Sequence, residues 1–180
     1  MRMEVRFAGF GGQGVISAAK ISGRAAAIND NLNAVLTQSY GPEARGGACN
    51  ANVVISQERI AYPEVTLPNL LVILSQEAYT TFGSTIALGG TLIVDQDLVD
   101  VGKIPAGIHL YKVPATKLAE ELGNRIVANV VMLGAVVAIT DMVSKGAMLE
   151  SVRASVPARF LELNERAFET GYNYGRKLKS

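Results

Sequence analysis

The sequence predicts an α/β fold: a Rossmann-like open sheet of mixed strands, completed by a helical C-terminal third. Three observations carry this expectation. Short β-rich runs alternate with helix-like stretches as far as Pro114. A glycine-rich turn, "GFGGQG" at residues 9–14, joins the first run to a stretch of small residues. From Ala115 every periodic segment has helical character. No Pro/Ser/Gly-rich linker or internal repeat divides residues 1–180, which read as a single domain.

Met3, Val5 and Phe7 alternate with Glu4 and Arg6, the pattern of a strand with one polar face. Residues 15–28 form a helix rich in small side chains, and Asn29, Asp30 and Asn31 a turn. Residues 33–39 are the second strand, so the opening reads as a β-α-β unit. A loop with three glycines and a proline spans 40–48. Residues 50–56 and 70–75 are β-rich, and the unbroken apolar run of the latter suits a strand buried on both faces.

Residues 76–88 read as a helix weakened by Gly83, 89–95 as a turn and a buried strand, and 108–114 as the last strand. Helices are then expected over 115–122, 126–140, 147–156 and 159–175. The stretch 126–140 is the longest uncharged apolar run, yet it falls short of the roughly 18 residues of a membrane span and carries Asn129. It reads as a helix buried on most sides.

Composition narrows the function classes. Hydrophobic residues make up 49% of the chain and charged residues 18%, which implies a large core or a surface that expects a partner. Seventeen basic and 16 acidic residues leave a net charge of +1, without the basic footprint of a nucleic-acid protein or a polybasic membrane patch. The single cysteine, Cys49, cannot form an internal disulfide or supply the thiolates of a zinc site or iron–sulfur cluster. A reducing cytoplasm fits, and "MRMEVRF" lacks the apolar segment of a signal peptide.

The glycine turn has two readings. Its glycines permit positive φ and let backbone N–H groups approach an anion at a helix N-terminus, or they serve close helix–strand packing. Dinucleotide binding further needs an acidic residue at the end of the second strand. That position falls at Thr37, Gln38 and Ser39, while Asp30 precedes the strand and Arg45 lies in the next loop. Gln13, at the loop tip, can donate to a phosphate or to a neighbouring backbone carbonyl. Ser39 and Tyr40 stand where a strand should end, the usual place for ligand contacts in an open sheet. Arg45 suits a bidentate pair with phosphate or carboxylate, or an ion pair with Glu43 or a partner chain. Gln76 and Glu77 begin a helix, where Glu77 complements the macrodipole. Cys49 reads as a small buried hydrophobe, His109 as a sheet residue, and Asp95 and Asp97 as parts of a solvated turn.

"GFGGQGV", "TQSYGPEARGG" (37–47), "LSQEAY" (74–79), "GGTLIVD" (89–95) and "ELGN…NVVMLGA" (121–135) combine in an order and spacing that resembles the gamma subunit of the 2-oxoacid:ferredoxin oxidoreductases, from about Arg6 to Gly175. Phe10 and "YGPEARGG" resemble the 2-oxoglutarate branch more than the pyruvate branch, whose first loop usually carries Arg and whose second reads like "FGPERRGA"; branched-chain 2-oxoacids stay open. The resemblance implies an enzyme divided over several chains. Alpha and beta subunits would bind thiamine diphosphate, magnesium and the 2-oxoacid, and a ferredoxin-like iron–sulfur subunit would pass electrons to ferredoxin or another acceptor. This chain would supply no catalytic residue and would be inactive alone. It would shape the active-site surroundings and coenzyme A access at a shared site, with Gly11, Gly12, Gln13, Gly14, Ser39, Tyr40 and Arg45 as the contacts. The lone cysteine and the lack of a magnesium-binding G-D-G motif place those cofactors on other chains. The alternative is a free-standing nucleotide- or coenzyme A-binding protein.

Overall fold

A computed structural model describes residues 1–38 and 48–180. Strand β1 (Arg2–Phe10) leads through the glycine turn into helix α1 (Val15–Arg24), which widens into a π-helical turn over Ala25–Asn29. Strands β2 (Asn33–Gln38), β3 (Ala48–Ser56) and β4 (Leu70–Ile73) follow, then helix α2 (Gln76–Phe82) and strands β5 (Thr91–Asp95) and β6 (His109–Val113). The C-terminal third holds α3 (Ala115–Glu121), α4 (Ala128–Thr140), α5 (Lys145–Ser155) and α6 (Leu161–Lys179). The expected elements are therefore present with shifted ends. Helix α2, for example, stops at Gly83 instead of running to residue 88.

The six strands form one mixed sheet in the order β2-β3-β1-β4-β5-β6. Strands β1, β4, β5 and β6 run parallel, while β3 is antiparallel to both β1 and β2. This corrects the expected opening β-α-β unit, because β2 does not lie beside β1. Strand β3 matches β1 residue for residue from Arg2↔Ser56 to Phe10↔Ala48 and takes the place next to it. Burial explains the choice: β3 is buried at every position but Cys49, as a central strand must be, whereas β2 stays half-exposed and suits an edge. The end of β2 is thereby held a further strand spacing, about 4.8 Å, from the glycine turn.

The expected polar face of β1 is also corrected. Arg6 is buried, with the chain after β3 and helix α2 lying over it. Its Nε donates to Asn52 Oδ1 (2.9 Å), Nη1 to Thr85 Oγ1 (3.0 Å) and Nη2 to the Val65 carbonyl (2.6 Å), and the guanidinium lies 5.3 Å from the Phe82 ring centre. Burial without a carboxylate partner among the described residues pushes its pKa down.

Asp95, expected in a solvated turn, is fully enclosed and accepts from the Thr116 N–H (2.9 Å), Thr116 Oγ1 (2.7 Å) and the Asp97 N–H (3.1 Å). It ties the end of β5 to the start of α3. The long apolar stretch behaves as expected: α4 is buried from Asn129 to Ile139, between the sheet-side helices and α6. Among the described residues no helix is long and apolar enough to cross a membrane.

Candidate functional site

The parallel strands end at one edge of the sheet, where β1 gives way to the glycine turn and β4 to Leu74. Alternation along the strands separates two cores. Val5, Phe7, Leu70 and Val72 pack with α1 on one face, while Ala8, Leu71 and Ile73 pack with Ala78 of α2 on the other. The chain thus leaves neighbouring β1 and β4 in opposite directions. A crevice opens between them, as it does at the switch point of other open α/β sheets.

Gln13 builds the turn. Its Oε1 accepts from the Phe10 N–H (2.7 Å), its Nε2 donates to the Leu74 carbonyl (2.8 Å), and its own N–H donates to the Phe10 carbonyl (3.2 Å). Of the two roles open to this amide, the protein uses the bond to a backbone carbonyl, and the side chain locks the end of β1 to the end of β4. Gly14 caps α1 with φ 75°, and a Cβ there would stand 2.4 Å from Asn129 Nδ2. Asn129 Nδ2 instead donates to the Gly14 carbonyl (3.3 Å), holding the start of α4 against the start of α1. Packing thus explains Gly14, whereas a Cβ at Gly11 would meet nothing within 4 Å among the described residues.

A two-lobed cleft surrounds this turn. One lobe, about 270 Å³, is lined by Gly12, Gln13, Leu74, Thr116, Arg125 and Ile126 among others. The second, about 590 Å³, includes Gly11, Gly14, Ser17, Cys49, Asn50 and Asn129 and shares Gly12 and Ile126 with the first. No Asp or Glu occurs among the described lining residues of either lobe, and α1 has no acidic residue in its first turn. The rim carries exposed apolar side chains: Phe10 at 42%, Ile16 at 36% and Ile126 at 73% exposure. Cys49 is half-buried, and burial pushes its thiol pKa up, which disfavours the thiolate a nucleophile requires.

Gly11, Gly12, Gln13 and Gly14 are therefore gathered at one cleft. Ser39, Tyr40 and Arg45 lie outside the described residues. Asp30, set aside as a ribose ligand, accepts from Ser144 N (2.6 Å) and Oγ (2.7 Å) at the N-cap of α5. Gln76 bonds to the backbone of Asp100 through both ends of its amide, and Tyr79 Oη donates to the Val101 carbonyl. His109 is exposed at the start of β6. Among the described residues no three His, Cys, Asp or Glu side chains gather as a metal site. Sequence reasoning missed Arg125 and Asn50 as lining residues. The available signal was the isolated amide Asn129 in an apolar helix, which marks where the helical third meets the glycine turn.

The profile of the family described as pyruvate ferredoxin/flavodoxin oxidoreductase matches residues 4–174. The chain is 51% identical over 180 residues to the 2-oxoglutarate synthase subunit KorC of Methanocaldococcus jannaschii, covering 99% of this chain and 96% of the relative. Among solved structures it resembles the gamma subunit of a keto/oxoacid ferredoxin oxidoreductase from Geobacter sulfurreducens, with a TM-score of 0.85 and 42% identity over 96% of this chain and 98% of that one. It also shares the fold of part of the 2-oxoglutarate:ferredoxin oxidoreductase of Magnetococcus marinus, which was solved with 2-oxoglutarate, coenzyme A and succinyl-CoA bound. That match has a TM-score of 0.82 and 24% identity, over 98% of this chain and 31% of that one.

Proposed function

The chain belongs to the pyruvate ferredoxin/flavodoxin oxidoreductase family, and from that premise we propose that it is the gamma subunit of a 2-oxoglutarate:ferredoxin oxidoreductase. The single observation that carries the substrate assignment is its likeness, over nearly the whole of both chains, to a 2-oxoglutarate synthase subunit. The reaction breaks the C1–C2 bond of 2-oxoglutarate, releases carbon dioxide, sends two electrons to ferredoxin or another acceptor, and leaves the succinyl group on the coenzyme A thiol. Thiamine diphosphate, magnesium and iron–sulfur clusters belong in this reading to the alpha, beta and ferredoxin-like partners. The complex works in the cytoplasm in this reading, which suits a chain with a single cysteine and so no internal disulfide. Residues 1–180 act as one gamma-type domain.

This chain's part is to shape the entry of coenzyme A. The 590 Å³ lobe is of a size that takes a small ligand, and the absence of carboxylates from its described lining suits an anionic one. Backbone at Gly11, Gly12 and Gly14 can approach a phosphate where α1 begins, with Gln13 holding the turn in shape. Ser39, Tyr40 and Arg45 complete the proposed contact set. The exposed Phe10, Ile16 and Ile126 give the rim an apolar face for a partner subunit.

The test is anaerobic affinity purification of the tagged chain from its host, followed by assay with a viologen dye. Co-purification of a thiamine-binding and a cysteine-rich subunit, with coenzyme A-dependent turnover of 2-oxoglutarate ahead of pyruvate, is the expected result. A chain recovered alone, or a complex that prefers pyruvate, would overturn the assignment. In the active complex Gly11→Asp, whose Cβ would meet none of the described residues within 4 Å, should raise KM for coenzyme A by repulsion at the loop.

A further inference from the structure

We propose that the open face of helix α1 is a docking surface for an acidic helix of another subunit, with Lys20 and Arg24 meeting two carboxylates between apolar seats at Ile16 and Ile28. The inference rests on the reading of this chain as one subunit of a complex. It adds to that reading a surface and the chemistry of the segment that covers it.

Burial divides α1 and the π-helical turn after it into two faces. Val15, Ala18, Ala19, Ile21, Ala25 and Ala26 are buried in the core beneath. Ile16, Lys20, Arg24 and Ile28 follow one another at four-residue intervals on the other side, and all four are exposed. Four-residue steps drift round an α-helix by about 40° each. The wider turn over Ala25–Asn29 cuts that drift on the last step and keeps Ile28 on the stripe. The stripe is about 18 Å long at the helical rise per residue. Small residues flank it: Ser17 and Ala27 are exposed and Gly23 is half-buried, so a second helix can lie close along it. Ile28 is 67% exposed, and Ile16 continues the apolar rim that Phe10 and Ile126 form at the cleft.

Charge identifies the occupant. Residues 15–29 contain two cations, Lys20 and Arg24, and no Asp or Glu. Neither cation has an ion-pair or hydrogen-bond partner among the described residues. The C-terminal helices, in contrast, answer their charges within the chain: Lys145 pairs with Glu169, Arg153 with Glu150 and Glu165, and Lys179 with Asp141. Asp30, the nearest acid along the chain, is already engaged by Ser144. A second copy of this chain fits badly, since a two-fold contact on the stripe sets like charges against each other. Two cations are too few to hold a nucleic acid or a membrane surface. A helix with two acids four residues apart spaces its carboxylates about 6 Å along its axis, the spacing of Lys20 and Arg24. The isoleucines supply the apolar burial that holds the contact, and the ion pairs set its register.

The experiment treats the anaerobically purified complex with a carbodiimide, which joins a lysine amine to a carboxylate in contact with it, and maps the coupled peptides by mass spectrometry. Lys20 should be joined to an Asp or Glu of a different polypeptide, one with a second acid four residues away. Lys20→Arg should keep that polypeptide bound and abolish the coupling, because the charge stays and the amine goes. Lys20→Glu with Arg24→Glu should cut the amount of it recovered per tagged chain about tenfold or more. The melting temperature of the chain should not move, since both side chains are exposed and unpaired. Coupling of Lys20 to a second copy of this chain would overturn the proposal. So would an intact complex in which Lys20 stays uncoupled and the double charge reversal costs no partner; the subunit reading would then stand and the docking surface alone would fall. A tagged chain recovered without any other polypeptide would overturn both.

Discussion

A Cβ built on Gly171 would stand 1.8 Å from the carbonyl oxygen of Val131, so the absence of a side chain at 171 is what lets α6 lie directly on α4. The contact is reciprocal: a Cβ on Gly134 of α4 would stand 2.1 Å from the Phe168 carbonyl oxygen of α6. The helical third rests against the sheet through this seam, and the start of the same α4 carries Asn129 to the glycine turn.

Gly171→Ala should therefore push the two helices apart and destabilise the fold by about 1–3 kcal/mol or more, the cost of overpacking. Gly146→Ala is the control, because a Cβ there meets nothing within 4 Å among the described residues and lies in α5. Alanine at 146 should stabilise by up to about 1 kcal/mol. Urea denaturation of the two variants beside the parent chain reads the contrast.

Gly11 and Gly14 should respond differently to alanine although they share one loop. Gly14→Ala forces a side chain into φ 75°, at about 1–2 kcal/mol, and drives its Cβ into Asn129. Gly11→Ala should stay within about 0.5 kcal/mol of the parent. Equal losses of stability in the two variants would contradict the loop geometry.

Gln13→Ala removes both side-chain bonds of the lock and leaves the Phe10 N–H and the Leu74 carbonyl to find water, a loss of about 1–3 kcal/mol. Gln13→Glu keeps the acceptor but sets a carboxylate against the Leu74 carbonyl. Burial beside that oxygen should raise the new group's folded pKa, so its stability is present at low pH and lost as pH rises through the folded value. A denaturation midpoint for Gln13→Glu that is flat with pH would refute the bond to Leu74.

The Cys49 thiol, raised above its ordinary pKa by burial, should alkylate more slowly than a free thiol at pH 8 and speed up as the pH climbs further. A raised folded pKa in an acid means stability present below the unfolded value and lost as pH rises through the folded one, so alkaline conditions should loosen this edge of β3. Saturating coenzyme A should protect the thiol, because Cys49 lines the larger lobe. Mass spectrometry of the enzyme labelled with and without coenzyme A measures both effects. Identical labelling in the two samples would count against ligand binding in that lobe.

Much of the protein was legible in the chain itself, since alternation, helical spacing and glycine punctuation are properties of neighbouring residues. They located the strands and helices, the turn at 9–14 and the buried apolar helix, and the order of five short motifs identified the family. What depends on residues far apart in sequence had to come from the folded molecule. Strand β3 lies between β1 and β2 because its nine-residue register with β1 buries it on both sides, and nothing within either segment records that pairing. Arg6 and Asp95 look like surface charges until Asn52, Thr85, Val65 and Thr116 come to meet them. Gln13 looks like a loop-tip ligand until Leu74, 61 residues on, takes its amide. Local pattern determined which elements this protein forms; tertiary structure alone decided which partners satisfy its buried polar groups, because a hydrogen bond depends on distance in space and is blind to distance along the chain.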